Sequence, residues 1–88
     1  MNYTIVLSRE DDGRYTVTVP ALKGCVTFGE TLPEALQMAQ EVIELFTESL
    51  RARGLEVPED NPDVRVSTRE TPEILVYRLQ VREADPVA

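Results

Sequence analysis

The sequence lacks two of the commonest components of catalytic and phosphate-binding sites, histidine and a glycine-rich phosphate loop. There is no histidine among the 88 residues, which excludes Ser–His and Cys–His nucleophile pairs and imidazole metal ligands. Gly24 and Gly29 are followed neither by the lysine of a phosphate loop nor by a G-x-G-x-x-G spacing. The candidates considered next are the single cysteine and the sixteen acidic residues.

The single cysteine, Cys25, would be a reactive thiol if a basic group or a helix N-terminus lowered its pKa. Lys23 is near it in sequence. Cys25 opens a short apolar run, residues 25–28, and a cysteine in such a run is typical of a small buried packing residue. We therefore expect a structural role for this thiol.

The acidic residues fall into two notable groups. Glu10, Asp11 and Asp12 precede Gly13, a sequence typical of a solvated hairpin turn, and no metal site is predicted there. The second group recurs at helical spacing and consists of Glu34, Glu41, Glu44 and Glu48. Such a face could dock a basic partner, but any amphipathic helix at a protein surface has a charged outer face. Both interpretations stay open.

Composition limits the class of protein. The net charge of −7 opposes unaided binding to nucleic acid, whose affinity comes mainly from basic side chains on phosphates, and it suits a basic partner. We find no apolar run of about 20 residues, the length of a membrane span, and no signal-peptide pattern at the start. With one cysteine an intrachain disulfide is impossible, so we expect a single small cytoplasmic domain.

Three short strands are predicted first, over residues 3–7, 14–19 and 25–28. Pro20 removes a backbone donor and should end the second strand. Gly24 and Gly29 are expected where the chain reverses or bends, because glycine reaches positive φ at little cost.

A long helix should follow over residues 32–53. Thr31 and Glu34 form a T-x-x-E capping box, Pro33 suits the first turn, and Gly54 suits a left-handed C-terminal cap. Its apolar stripe should face the core. That stripe comprises Ala35, Leu36, Ala39, Val42, Ile43, Phe46 and Leu50.

The rest of the chain predicts a polar loop over residues 56–63, a brief strand over 64–66 and a last strand over 74–81. The order β-β-β-α-β, with a right-handed crossover through the helix, places the last strand parallel to the first. The expected fold is α+β, a small mixed sheet with one long helix on one face. Because the first strand is apolar on both faces, the uncovered face should meet a second copy in a homodimer or higher oligomer.

The segment from Pro20 to Leu36 fits the pattern P-x-L-x-G-C-x-x-x-G-x-T-x-x-E-A-L. Before it, Gly13 to Pro20 read G-x-Y-x-V-x-V-P, and after it Gly54 is followed by Pro58. Together these features resemble the HicB-like antitoxin family over about residues 3–60. The structural motif residues of the resemblance are Pro20, Gly24, Gly29, Thr31, Glu34 and Gly54.

The resemblance implies a truncated ribonuclease H-like core and a bacterial antitoxin that binds and neutralises a small basic HicA-type ribonuclease toxin. Glu34, Glu41, Glu44 and Glu48 are the candidate partner-binding residues. A ribonuclease H site needs an acid on the first strand, and residues 3–7 contain none, so we expect no enzyme activity, metal or cofactor.

The alternative to an antitoxin is a stand-alone oligomeric interaction or scaffold module without a cognate toxin. Many family members append a DNA-binding module, and residues 61–88 resemble none, so direct contact with nucleic acid is not expected. We predict one domain over residues 1–83, with a frayed tail over 84–88.

Overall fold

The computed structural model describes residues 1–64 and 73–82. Four strands and one helix form the fold: β1 (Asn2–Arg9), β2 (Tyr15–Thr18), β3 (Val26–Gly29), α1 (Leu32–Ala52) and β4 (Ile74–Gln80). The strands form one sheet in the order β3-β2-β1-β4, and every neighbouring pair is antiparallel. The helix packs against β3 and β2.

The prediction of a mixed sheet with β4 parallel to β1 is wrong. β4 runs antiparallel to β1, with Ser8 opposite Ile74 and Asn2 opposite Gln80. The reason is the long connection after the helix. Asp60 contacts Thr4 near the start of β1, whereas Glu73 accepts a hydrogen bond from the Arg9 backbone N–H at the end of β1. The described ends of the connection thus lie at opposite ends of β1, and β4 begins at the end opposite to that of a simple crossover.

The predicted turns between the first strands are confirmed. The first hairpin closes through the Glu10 N–H bond to Arg14 O, at 2.7 Å. β2 ends at Thr18, two residues before Pro20. The second turn is closed by the Val19 N–H bond to Cys25 O, at 3.2 Å, and Gly24 adopts φ +88° within it.

Gly29 has a different role from the one expected. Its φ is not positive. A Cβ built on Gly29 would lie 2.4 Å from the Ala35 backbone nitrogen and 2.5 Å from the Ala35 Cα. Glycine is therefore needed because the end of β3 and the first turn of α1 approach each other more closely than a side chain permits.

Both helix caps form as predicted, with one difference in the first. The Glu34 N–H donates to Thr31 Oγ1 at 3.2 Å, but the Glu34 carboxylate accepts from the Glu30 N–H, at 3.4 Å, rather than from Thr31. At the other end Gly54 has φ +71°. The Gly54 N–H bond to Arg51 O and the Leu55 N–H bond to Leu50 O form a Schellman motif.

The core lies between α1 and the facing side of the sheet. Ile5, Leu7, Val17 and Ile43 are fully buried there. The predicted helix stripe is confirmed at Ala35, Ala39 and Ile43, but Leu36, Val42 and Phe46 are only partly buried. Thr47, absent from the predicted stripe, is fully buried. Its hydroxyl donates to Ile43 O at 2.9 Å, which satisfies the polar group inside the core.

Two predicted segments near the C-terminal end of the chain lie wholly or partly outside the described residues. Val64 belongs to no strand, while residues 65 and 66 of the expected brief strand lie outside the described residues. The tail expected over 84–88 also lies outside them. The extent of the domain, residues 1–83, stays a prediction.

Candidate partner-binding surfaces

The acidic residues of α1 do not all share one surface. Glu34, Glu41 and Glu48 are exposed and follow one another at seven-residue intervals, about 10 Å apart along the axis. Two helical turns separate each from the next, so they form one stripe on the side away from the sheet. We call these three residues the acidic stripe.

Glu44 lies apart from the acidic stripe. It is half-buried and lines a groove between α1 and the end of β4, together with Gln40, Gln80, Val81 and Arg82. Because the Arg82 guanidinium borders the same groove, the local charge is closer to neutral than on the stripe. Of the four predicted partner-binding glutamates, three are therefore brought together and the fourth faces a different surface.

The carboxylates of the acidic stripe are not held by ion pairs within the described residues, 1–64 and 73–82. The side-chain ion pairs there join Arg9 to Glu73 and Arg14 to Asp12. All three residues of the stripe are exposed to solvent, and the Glu34 carboxylate also accepts from the Glu30 N–H. Unpaired surface charge of one sign attracts an oppositely charged protein and accelerates encounter.

A second surface is the side of the sheet opposite α1. Strand register aligns Val26, Thr18, Val6 and Val76 in one row across all four strands, and Phe28, Thr16, Ser8 and Ile74 in the next. We call these eight residues the open sheet face. Phe28 is 60% exposed, Val76 53% and Val26 45%. Because these large apolar side chains are exposed and close together, this face is a candidate interaction surface.

The uncovered face was predicted from β1 alone, through Val6. The contributions of Phe28 and Val76 were not foreseen. The alternation of apolar Val26 and Phe28 with polar Thr27 was an available signal in the sequence. The antiparallel register of β4, which brings Val76 beside Val6, could not be read from the sequence pattern.

A latch at the start of β1 was missed altogether. The Thr4 N–H donates to Asp60 Oδ1 at 2.7 Å and the Thr4 hydroxyl to Oδ2 at 2.8 Å. The Tyr3 hydroxyl donates to the Pro58 carbonyl, and burial raises the pKa of that phenol. These bonds fix the loop after α1 to the sheet. The sequence predicted only a polar loop over residues 56–63, and no contact between this loop and β1.

The remaining candidates are Cys25 and the acidic residues of the first hairpin turn, and in the part of the chain that the structure describes they form no metal or ligand site. Burial raises the pKa of the Cys25 thiol, so it stays protonated and packs as a small apolar group. Asp12 accepts from Arg14, and Glu10 accepts from the Thr16 hydroxyl at 2.8 Å. Among the described residues no group of three acidic or cysteine side chains is arranged to hold a metal. Nor is any described helix both long enough and apolar enough to cross a bilayer.

Comparison with known proteins identifies relatives over most of the chain. Residues 3–79 match the family described as the HicB-like antitoxin of the bacterial toxin–antitoxin system. A UPF0150 protein of the archaeon Thermoplasma acidophilum is 43% identical over 63 residues, which are 72% of this chain and 91% of that protein. A UPF0150 protein of the bacterium Synechocystis is 47% identical over 60 residues, 68% of this chain and 76% of the relative.

Solved structures show the same fold. The N-terminal domain of the Burkholderia pseudomallei antitoxin HicB superposes with a TM-score of 0.66 at 23% identity, covering 93% of this chain and 99% of that domain. A toxin–antitoxin complex from Streptococcus pneumoniae contains a chain that superposes with a TM-score of 0.76 at 22% identity, covering 93% and 69% of the two chains. At such identities the likeness establishes the fold, which is that of HicB antitoxin domains.

Proposed function

Because this chain belongs to the HicB-like antitoxin family, we propose that it binds a small basic ribonuclease toxin of the HicA type and neutralises it. The observation that carries the proposal is the family match over residues 3–79. Support comes from structural neighbours that are toxin–antitoxin complexes and from a net charge of −7, which complements a basic partner.

The acidic stripe is the proposed docking surface for this toxin. Its three carboxylates are exposed and extend over about 20 Å of one helix face. A row of that length can steer a basic partner and orient it along the helix. Glu44, which we predicted as a fourth contact, lies at the border of this surface because it faces the groove with Arg82.

The proposed activity is non-enzymatic and needs no cofactor. β1, the strand that carries a metal-binding acid in a ribonuclease H site, consists of residues without a carboxylate. We place the protein in the cytoplasm, where a ribonuclease toxin would meet its RNA, and we propose no direct contact with nucleic acid because of the acidic charge.

Charge reversal on the helix tests the docking surface. The variant Glu41→Lys/Glu48→Lys changes the net charge from −7 to −3, since each substitution adds two positive charges. Glu34 is left intact because it takes part in the helix cap. The matched control, Asp11→Lys/Glu56→Lys, makes the same charge change at exposed positions away from the helix.

The assay is stopped-flow association with the product of the adjacent gene at two salt concentrations, alongside growth of cells that express both proteins. We expect association of the helix variant to slow at least tenfold at low salt, and the control variant to slow much less. Equal rates for the two variants would reject the acidic stripe as the docking surface. If no basic ribonuclease of the host binds the wild-type protein, the alternative of a stand-alone oligomeric interaction module replaces the antitoxin.

A further inference from the structure

We propose that the acidic stripe is one half of a mixed apolar and acidic seam on α1, and that the toxin docks there through a basic amphipathic helix. The inference rests on the proposed function. It adds the apolar half of the contact, the residue that holds the complex together and the form of the partner's docking element.

Two exposed apolar side chains lie between the carboxylates of the acidic stripe. Leu45 is 66% exposed and Met38 36%. Along the outer side of α1 the spacing alternates between four and three residues, so the line drifts by only about 20° in each heptad. It forms a nearly straight ridge about 27 Å long. We call these exposed positions the outer seam: Glu34, Met38, Glu41, Leu45, Glu48 and Ala52.

The outer seam has the spacing of the first and fourth positions of a heptad, which in a coiled coil pack against a partner helix. One of these positions is apolar in each heptad, and the other is a glutamate. A single exposed leucine is common at protein surfaces, but here two large apolar side chains recur at that spacing. The opposite face of α1, with Ala39 and Ile43, is already buried in the core. The helix therefore has a second face with the pattern needed to bind another helix.

The spacing of the outer seam favours a helix over a strand as the docking element. Successive seam positions are about 5 Å apart along the axis of α1. A second helix repeats its own seam positions at the same interval, so the two stay in register along the ridge at a crossing angle of about 20°. Residues on one face of a strand repeat at roughly 7 Å, and they lose register with the seam within a few positions.

Charge determines which helix fits the outer seam. Its three glutamates call for lysine or arginine at the facing positions, and Met38 and Leu45 call for apolar residues. A second copy of this chain would instead bring three carboxylates from each molecule into one contact. Nucleic acid or an anionic bilayer would oppose the seam with phosphate charge. Because like charges facing each other are unfavourable, the occupant is a basic helix of another protein.

The two kinds of residue on the outer seam predict different kinetic effects. Exposed carboxylates mainly accelerate association, whereas buried apolar contacts mainly slow dissociation. Leu45 has the largest exposed fraction among the apolar residues of the seam, so it is the expected anchor. Loss of the contact that covers its apolar surface should accelerate dissociation about tenfold.

The test measures the dissociation rate of the adjacent gene's product from variants of this protein. Leu45→Gln replaces the anchor with a polar residue of similar helix propensity, and Leu45→Met keeps the apolar surface. The matched control is Phe28→Gln, the same kind of change at a residue that is 60% exposed on the open sheet face. Far-UV circular dichroism checks that each variant is folded, and Met38→Gln replaces Leu45→Gln if that variant is not.

We expect Leu45→Gln to dissociate about tenfold faster with little change in association rate, and the other two variants to stay within about twofold of the wild type. An unchanged dissociation rate for Leu45→Gln, or an acceleration confined to Phe28→Gln, would overturn the outer seam while the antitoxin function stands. A wild-type protein that does not bind the toxin would overturn the proposed function and the seam together.

Synthetic peptides test the helical form of the docking element. One alanine-rich probe of about three heptads carries leucine at the first and lysine at the fourth position, for a parallel helix. A second probe exchanges the two, for an antiparallel helix, and a control peptide has the same composition in scrambled order. One probe should shift the amide NMR signals around Met38 and Leu45 and compete with the toxin, whereas the control should do neither. Equal effects of the probes and the control, or none, would overturn docking through a helix.

Discussion

Asp60→Ala should destabilise the fold through the latch at the start of β1. The Asp60 carboxylate accepts from both the N–H and the hydroxyl of Thr4, at 2.7 and 2.8 Å. Hydrogen bonds to a charged group contribute about 1.5–3 kcal/mol each. Thr4 is only 5% exposed, so its donors lose most access to water, whereas Asp60 is half-buried and a water molecule can replace part of the carboxylate. We therefore expect a loss of about 3 kcal/mol in the free energy of unfolding.

The assay is thermal and urea unfolding followed by circular dichroism. For a domain of this size, 3 kcal/mol corresponds to a fall in Tm of about 12–24 °C. Thr4→Val removes the hydroxyl but keeps the backbone donor, so it should cost about 1 kcal/mol. In that background the Asp60→Ala change should cost correspondingly less, because the two residues share a bond.

The control for the latch is Glu59→Ala, which removes a neighbouring exposed carboxylate and should leave Tm within about 4 °C, because surface substitutions usually change stability by less than about 0.5 kcal/mol. If Asp60→Ala and Glu59→Ala unfold at the same temperature, the loop after α1 is not fixed to β1 by these bonds. The reasoning about the latch would then be refuted.

Three further predictions concern the core and the caps. Gly29→Ala should lower the free energy of unfolding by about 3 kcal/mol, because its Cβ would overlap the backbone of Ala35. Gly24 has open space around it, so Gly24→Ala should lower it by only about 1 kcal/mol, through the positive φ of this residue. Equal urea midpoints for the two variants would contradict this. Thr31→Ala should cost about 1 kcal/mol by removing the bond to the Glu34 N–H, and an unchanged midpoint would mean that the cap adds nothing. Burial raises the pKa of the Cys25 thiol, so the unfolded chain ionises first and stability should fall as pH rises above about 8.5. Cys25→Ala should make the free energy of unfolding fall less steeply with pH. If the variant and the wild-type protein show the same pH dependence, groups other than Cys25 cause the fall.

The local elements could be predicted from the sequence because their signals are short in range. Asp12-Gly13 specified the first hairpin, and the cap at Thr31 located the start of α1 at Leu32. The helix end was predicted at residue 53 and observed at Ala52, because Gly54 provides the left-handed residue of the cap.

The direction of β4 could not be predicted in the same way. A crossover rule assumes that the chain returns directly to the sheet after the helix. Here 21 residues separate Ala52 from Ile74, and the bond between Asp60 and Thr4 holds part of this connection against β1. Such a long-range contact between a loop carboxylate and a buried threonine leaves no periodic signal in the sequence.

Of the candidate surfaces, the acidic stripe could be predicted from the sequence, whereas the position of Glu44 and the extent of the open sheet face could not. Helical spacing placed Glu34, Glu41 and Glu48 on one face, since that depends on α1 alone. The different position of Glu44 depends on β4 and Arg82, which border its groove. The open sheet face depends on the register of four strands, and register is a property of the assembled sheet.

The most direct test of the central claim is inhibition of RNA cleavage. The product of the adjacent gene, which the proposal expects to be a basic ribonuclease, is purified and incubated with RNA and increasing amounts of this protein, and the intact RNA is measured. The proposed antitoxin function predicts that cleavage stops once the two proteins are present in equal numbers, and that the two elute together in gel filtration. Undiminished cleavage at a tenfold excess of this protein, with the two eluting separately, would contradict it.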